Sequence, residues 1–543
     1  MAAGDRVVGH AGELALAALE PFGVRELFTL SGAHIFPLYD AAVKRDVPIW
    51  DVRHEQTATF AAEGLAKLTR RPALAALTAG PGVTNGVSAV TTAWFNGSPL
   101  VVIGGRAAQL GWGRGALQEF DHVPVLASIT KRATTVTSVE GAYTDVAAAA
   151  ALAASAHRGP VFLDVPLDVV FSSGEVDAVD PRSLVERVDP DPADVAAAAA
   201  LIAGAHRPAI VAGSDVYWGG AWEALRAAAE ALRVPVFANG LGRGCLPADH
   251  ELSFSRTRGM LKSQADVVVV VGTPLDFRIS FGSFGAARVV HIVDHPSGRA
   301  AHTEPAVSPA GDLVATLTGL ADWVGDRADH EPWISSLRDA ERAAGAGEAA
   351  LLAADGELIA PTRVYGELRK VLDRDAVVVC DGGDFVSYAG KYLESHEPGA
   401  WLDPGPYGCL GTGMGYAMAA RIAHPDRQVV VMMGDGAAGF SLMDVDSLVR
   451  HRLPVVIVMG NNGIWGLEKH PMQMLYGYDV AADLQPGCRY DQVVTALGGG
   501  GELVERAEDI APAIERGFAS GVPYLVNVLT DPSDAYPRSS NLA

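Results

Sequence analysis

Hydrophobic positions along the chain fall into short runs separated by segments of helical length. In the first third, apolar runs stand at 26–30, 49–52, 73–78, 100–103 and 161–165. The middle repeats the pattern at 208–213, 234–238, 266–272 and 289–294. The last third carries runs at 377–379, 429–433 and 455–459. Such runs are too short for helices and show no alternation. They read as buried strands of parallel sheets, with helices making the crossovers. The pattern predicts an α/β protein of three doubly wound parallel-sheet domains, over 1–172, 190–325 and 355–543. The acidic, proline-bearing stretch 172–194 reads as the first linker.

The segment 428–464 carries the clearest chemistry. A strand ends on Gly434-Asp435-Gly436, a helical stretch follows, and a second strand ends on Gly460-Asn461-Asn462-Gly463. A right-handed crossover brings both strand ends to one edge of the sheet, where such sheets bind ligands. Two readings fit. Gly434 to Gly439 matches the G-x-G-x-x-G dinucleotide pattern, which alone is weak evidence. That reading wants an acid after the next strand, yet the chain offers two amides, and it puts Asp435 beside a diphosphate. A divalent cation resolves both points, because Asp435 and the Asn462 amide oxygen become hard oxygen ligands that bridge metal to phosphate.

This GDG…NN spacing resembles the thiamine diphosphate enzyme family, and the likeness extends over nearly the whole chain. It implies thiamine diphosphate and Mg2+ as cofactors, the metal being held by Asp435, Asn462 and the Ile464 carbonyl. Gly383, Asp384, Gly436, Ala437, Asn462 and Ile464 would meet the diphosphate. In the glycine-dense segment 405–420, the Gly408 carbonyl would accept from the aminopyrimidine, and Leu410 would wedge between the two cofactor rings.

Around Glu55, the sequences RHEQTATFAAEGLAKLT and LTAGPGVTNGVSAV resemble the family's pyrimidine-binding domain. Position alone makes Glu55 an ordinary acid in a first helical turn. The resemblance makes it the carboxyl that favours the imino form of the pyrimidine and so activates the thiazolium carbon. Pro81 and Asn85 lie in a glycine turn suited to close ligand approach. Gln118, in LQEFD, matches a segment of acetolactate synthases and hydroxyacyl-CoA lyases whose Gln lies near the thiazolium. His34 ends a strand much as in benzaldehyde lyase, and equally fits a turn histidine. Glu468 is a candidate acid/base, or a surface partner of Lys469 or His470.

The middle domain resembles oxalyl-CoA decarboxylase and 2-hydroxyacyl-CoA lyase over 254–282. Arg256, Arg258 and Lys262 are therefore candidate phosphate contacts, with solvated helix charges as the plainer account. ADP or CoA is the ligand implied there. Little resembles the FAD-binding segments of biosynthetic acetolactate synthases, so FAD is not expected. The tail resembles those of hydroxyacyl-CoA lyases, with Arg538 as its phosphate contact.

Composition bounds these readings. A formal charge of −22 argues against nucleic acid or anionic membrane as partners. Four scattered cysteines suit a reducing compartment, and the start shows no basic region followed by an apolar one, so a cytoplasmic protein is expected. The active-site residues fall in different domains, as in relatives that share sites between subunits, which implies a homodimer or homotetramer. The sequence places first a lyase that cleaves 2-hydroxyacyl-CoA to formyl-CoA and an aldehyde or ketone. Acetolactate synthase, acting on a 2-oxo acid, is second, and a benzaldehyde-lyase-like carboligase third. A non-catalytic subunit would have lost Glu55 or Asp435, and both are present.

Overall fold

The computed structural model describes residues 5–536. Three parallel sheets, each covered by helices, form the core of the chain. The N-terminal sheet has six strands in the order Ile49–Asp51, Leu27–Thr29, Ala73–Leu77, Leu100–Arg106, Val161–Pro166, Arg132–Thr135. The central sheet has five: Ser253–Phe254, Val236–Ala238, Pro208–Ala212, Val267–Val271, Arg288–Ile292. The C-terminal sheet has six: Trp401–Leu402, Val377–Asp381, Val429–Gly434, Val456–Asn461, Tyr524–Leu529, Gly500–Val504.

The two outer sheets share one topology. Numbered along the chain within each sheet, both run 2-1-3-4-6-5. The order reverses between the first and third strands. In the N-terminal sheet that switch point lies beside Gly80, and in the C-terminal sheet beside Gly434 and Asp435, so each sheet offers one ligand crevice. The helices that follow the second strand are also equivalent. Glu55–Thr69 and Thr412–Ala423 pack face to face through small residues: a Cβ on Gly415 would come within 2.7 Å of Phe60, and one on Gly64 within 2.9 Å of Ala419. Side chains of both outer domains therefore form one continuous core.

A buried polar cluster ties the three domains together. Glu63 accepts hydrogen bonds from Asn96, Ser98 and Tyr416, and pairs with Lys67 at 3.2 Å. Lys67 donates to Tyr416 and to the Asp403 carbonyl, while Tyr217 of the central domain donates to the Lys67 carbonyl.

The predicted linker is partly structured. Ser173–Asp177 pairs antiparallel with Arg6–His10, returning the chain to the first domain before it crosses to the second. Beyond the central sheet, the helix Glu331–Leu352 buries Trp333, Ile334 and Leu337 in the central core.

Candidate active site

A cavity of about 450 Å³ opens at the switch point of the C-terminal sheet. It gathers ten residues singled out by the sequence: Gly383, Asp384, Gly408, Leu410, Asp435, Gly436, Ala437, Asn462, Ile464 and Glu468. These come from the ends of three strands and from the loop before the helix Thr412–Ala423.

Asp435 opens the helix Asp435–Ser441 directly after its strand and is 3% exposed. Its carboxylate accepts from the Gly463 amide at 2.8 Å and its own neighbour Gly436 at 3.1 Å. Burial pushes its pKa up to about 6 despite those donors. The Asn462 amide oxygen accepts from the Ile464 amide at 3.2 Å, folding the turn so that the segment lines the cavity. Asn461 has a structural task instead: buried, it donates to Asn527 and to the Cys488 carbonyl, fixing the strand end.

Glycines keep the crevice open. A Cβ on Gly436 would lie 2.5 Å from the Trp465 ring, and one on Gly383 2.6 Å from Leu467. A Cβ on Gly434 would meet nothing within 4 Å. The donor set fits a magnesium–diphosphate pair. It offers a buried carboxylate made costly by its surroundings, an amide oxygen with a lone pair to spare, and a backbone close enough for phosphate contact.

Asp381, which the sequence reading missed, is buried and accepts from the amides of Gly411 at 3.0 Å and Gly413 at 2.8 Å. It holds the loop that carries Leu410, and burial raises its carboxyl to about 7. The Leu410 carbonyl accepts from the Gln56 side chain at 2.9 Å. Asp384 lines the cavity and accepts from the Tyr536 amide at 3.1 Å, so the tail docks at this rim. Glu468 is exposed at the cavity mouth. Lys469 pairs with Asp479 and Asp483, not with Glu468.

Glu55, Pro81, Asn85, Gln118 and His34 are absent from this cavity within a single chain. They cluster around the switch point of the N-terminal sheet. Glu55 is buried and accepts from the Asn85 side chain at 3.0 Å. A Cβ on Gly82 would sit 3.5 Å from the Glu55 carboxylate. Gln118 adopts φ +58°, a left-handed conformation costly for a residue with a side chain, and packs on Gly80. His34 is buried near Thr78, and that burial lowers its pKa. His122, also missed, accepts from the Gly80 amide at 3.0 Å through Nε2 and meets Asp164 at 3.3 Å through Nδ1. The Gly80 bond leaves the proton on Nδ1, so the tautomer is fixed and the glycine turn is anchored.

The arginines proposed for phosphate line a separate cavity of about 900 Å³ between the central and C-terminal domains. Arg256 is already neutralised by Glu341, Glu348 and Glu394 at 2.6–3.4 Å. Arg258 and Arg243, half-buried in the same wall, donate to the carbonyls of Arg278 and Gly390 and form no ion pair among the described residues. Lys391 also lines this cavity, whereas Lys262 does not. Arg538 lies outside the described residues.

The three-domain pattern and paired crevices define a thiamine pyrophosphate enzyme, and the chain belongs to that family. Its N-terminal TPP binding domain matches residues 10–125, its central domain 195–320 and its C-terminal TPP binding domain 381–528. Among individual relatives, the chain is 52% identical to a probable acetolactate synthase of Mycobacterium bovis, over 98% of each chain. The same figures hold for the acetolactate synthase large subunit IlvG of Mycobacterium tuberculosis. It is 32% identical to human 2-hydroxyacyl-CoA lyase 2, over 97% of this chain and 91% of that one. Among the described residues no helix is long and apolar enough to cross a membrane.

Proposed function

We propose that this enzyme is an acetolactate synthase, joining two pyruvate molecules into acetolactate with loss of carbon dioxide. The observation that carries this reading is the 52% identity to acetolactate synthases over 98% of both chains. It reverses the order in which the sequence alone places the two main activities. Bound thiamine diphosphate supplies a carbanion equivalent at its thiazolium carbon and stores the electrons released on decarboxylation.

The chain's own groups prepare that chemistry. Asp435, Asn462 and the Ile464 carbonyl would hold Mg2+, and Gly383, Asp384, Gly436 and Ala437 would meet the diphosphate. Leu410 would support the cofactor from below, and the Gly408 carbonyl would accept from its aminopyrimidine. Glu55 would hold the proton shared with the pyrimidine ring, its carboxylate positioned by the Asn85 side chain. Gln118, His34 in its short helical turn and Glu468 in the first turn of the helix Gly466–Tyr476 are the side chains that would act on the substrate.

Because the Glu55 cluster and the Asp435 cavity do not meet within one chain, a second copy completes each site in a homodimer. Exposed Leu117 and Phe120 beside the first cluster, and Phe440 and Met443 beside the second, are the apolar surface such a dimer would bury.

A second reading, cleavage of 2-hydroxyacyl-CoA, is favoured by one observation. The 900 Å³ cavity carries the guanidiniums of Arg258 and Arg243, which have no carboxylate partner among the described residues and suit a phosphate-bearing ligand such as CoA or ADP. Purified enzyme with thiamine diphosphate and Mg2+ would be given pyruvate or 2-hydroxyisobutyryl-CoA. Acetolactate formation with no acyl-CoA cleavage is expected; acetone and formyl-CoA with no acetolactate would overturn the proposal.

A further inference from the structure

Three titratable side chains from two domains converge away from both crevices. His157 lies in the loop before Val161–Pro166 of the N-terminal domain. Asp215 lies in the helix after the first central strand, and Asp294 follows the last one. His157 Nδ1 stands 3.2 Å from Asp294 Oδ1 and 3.6 Å from Asp215 Oδ1, and one ligand atom from each residue falls within 4.8 Å of the others. A tetrahedral zinc ion with bonds of about 2.0–2.2 Å places neighbouring ligand atoms about 3.3–3.6 Å apart.

Two further features point to a missing cation. Asp294 is 7% exposed, and its Oδ2 is buried with no hydrogen-bond partner. Leaving a carboxylate oxygen orphaned beside a second buried carboxylate is costly, and a bound cation removes that cost. Arg158, half-buried nearby, attracts both carboxylates from a distance but forms no ion pair with either among the described residues.

The positions are also fixed in advance. Lys131 donates to the carbonyls of Leu152, Ser155 and His157 at 2.7–2.9 Å, which pins the loop carrying the imidazole. Gly272, at φ +64°, admits Asp215, since a Cβ there would lie 2.8 Å from the Asp215 Cβ.

We propose that His157, Asp215 and Asp294 form a structural zinc site that clamps the N-terminal domain to the central domain. One imidazole with two carboxylates suits zinc better than magnesium or calcium, which prefer all-oxygen shells. The His157 side chain is 35% exposed, so water has access to complete a fourth position.

The test uses the full chain saturated with thiamine diphosphate and Mg2+, so that the diphosphate metal site is already filled. After a chelator wash and reloading, zinc chloride is titrated calorimetrically, and bound zinc is counted by elemental analysis. One zinc per chain is expected, with affinity at least 100-fold weaker in His157→Ala and in Asp294→Asn. Cobalt(II) loading of the unmodified protein should give the intense visible band of a four-coordinate ion, a readout that depends on no variant. No zinc uptake and no cobalt band would overturn the site, leaving an imidazolium bridged by two carboxylates. Equal uptake by wild type and both folded variants would overturn it too.

Discussion

Asp435→Asn should stabilise the protein without its cofactor and abolish the stabilisation that the cofactor brings. Burial lifts this carboxyl from 3.8 to about 6. A folded-state value above the unfolded one means that folding favours the protonated form. Stability is then fullest below pH 3.8, falls as pH rises, and bears the whole penalty above about pH 6. At about 1.36 kcal/mol per pH unit of displacement, the penalty at pH 8 is about 3 kcal/mol. By the same linkage it is about 1.6 kcal/mol at pH 5. Asn removes the charge but can keep only one of the two backbone hydrogen bonds, at a cost of about 1 kcal/mol. The net gain is about 2 kcal/mol at pH 8 and about 0.6 kcal/mol at pH 5. For a folding unit the size of the C-terminal domain, the pH 8 gain corresponds to a Tm higher by about 4–8 °C. Scanning calorimetry of chelator-treated protein at the two pH values reads this directly. The same scans with thiamine diphosphate and Mg2+ should raise the Tm of wild type and leave that of Asp435→Asn unmoved. An equal gain at both pH values would refute burial as the origin of the shift. A variant whose Tm still rises with cofactor would refute Asp435 as a metal ligand.

Glu55→Gln should abolish turnover while leaving the Tm within about 1 °C of wild type, since an amide can still accept from Asn85; steady-state acetolactate formation checks it, and retained activity would remove Glu55 from the chemistry. Gly436→Ala drives a methyl into the Trp465 ring, an overpacking cost of about 1–3 kcal/mol that should weaken thiamine diphosphate binding about 10- to 100-fold by titration calorimetry. Lys67→Met strands the Glu63 carboxylate at the junction of the three domains and should destabilise the chain by about 3–5 kcal/mol in urea denaturation. Adding Glu63→Gln to it should recover part of that loss.

What the sequence disclosed, and what it hid, follow from the range of the interactions involved. Uniform apolar runs such as 429–433 announce a strand buried on both faces, because nothing but a covered parallel sheet tolerates them. The short edge strands Trp401–Leu402 and Ser253–Phe254 give no such signal: two residues cannot show a period, and their pairing is set by neighbours far along the chain. Ser173–Asp177 is polar and acidic, so it read as a linker, and only its partner Arg6–His10 makes it a strand. The site divides in the same way. Asp435 was legible because a carboxylate inside a glycine turn has no local explanation. His122 and Asp381 were not, because a lone histidine and an aspartate at a strand end are ordinary until the fold brings the Gly80 and Gly411 amides to them. The repeated 2-1-3-4-6-5 order was equally invisible, since topology leaves no residue pattern of its own. That repetition explains why the reactive groups split as they do. Each sheet presents one crevice at its own switch point, so the carboxylate that would work on the pyrimidine and the carboxylate that would hold the metal belong to equivalent edges of different sheets. In one chain the equivalent helices behind those edges pack against each other, and the Glu55 cluster does not line the Asp435 cavity. A second copy that lays its N-terminal crevice over this C-terminal one builds two identical sites at once, and this is why the division of the residues predicts an even-numbered assembly.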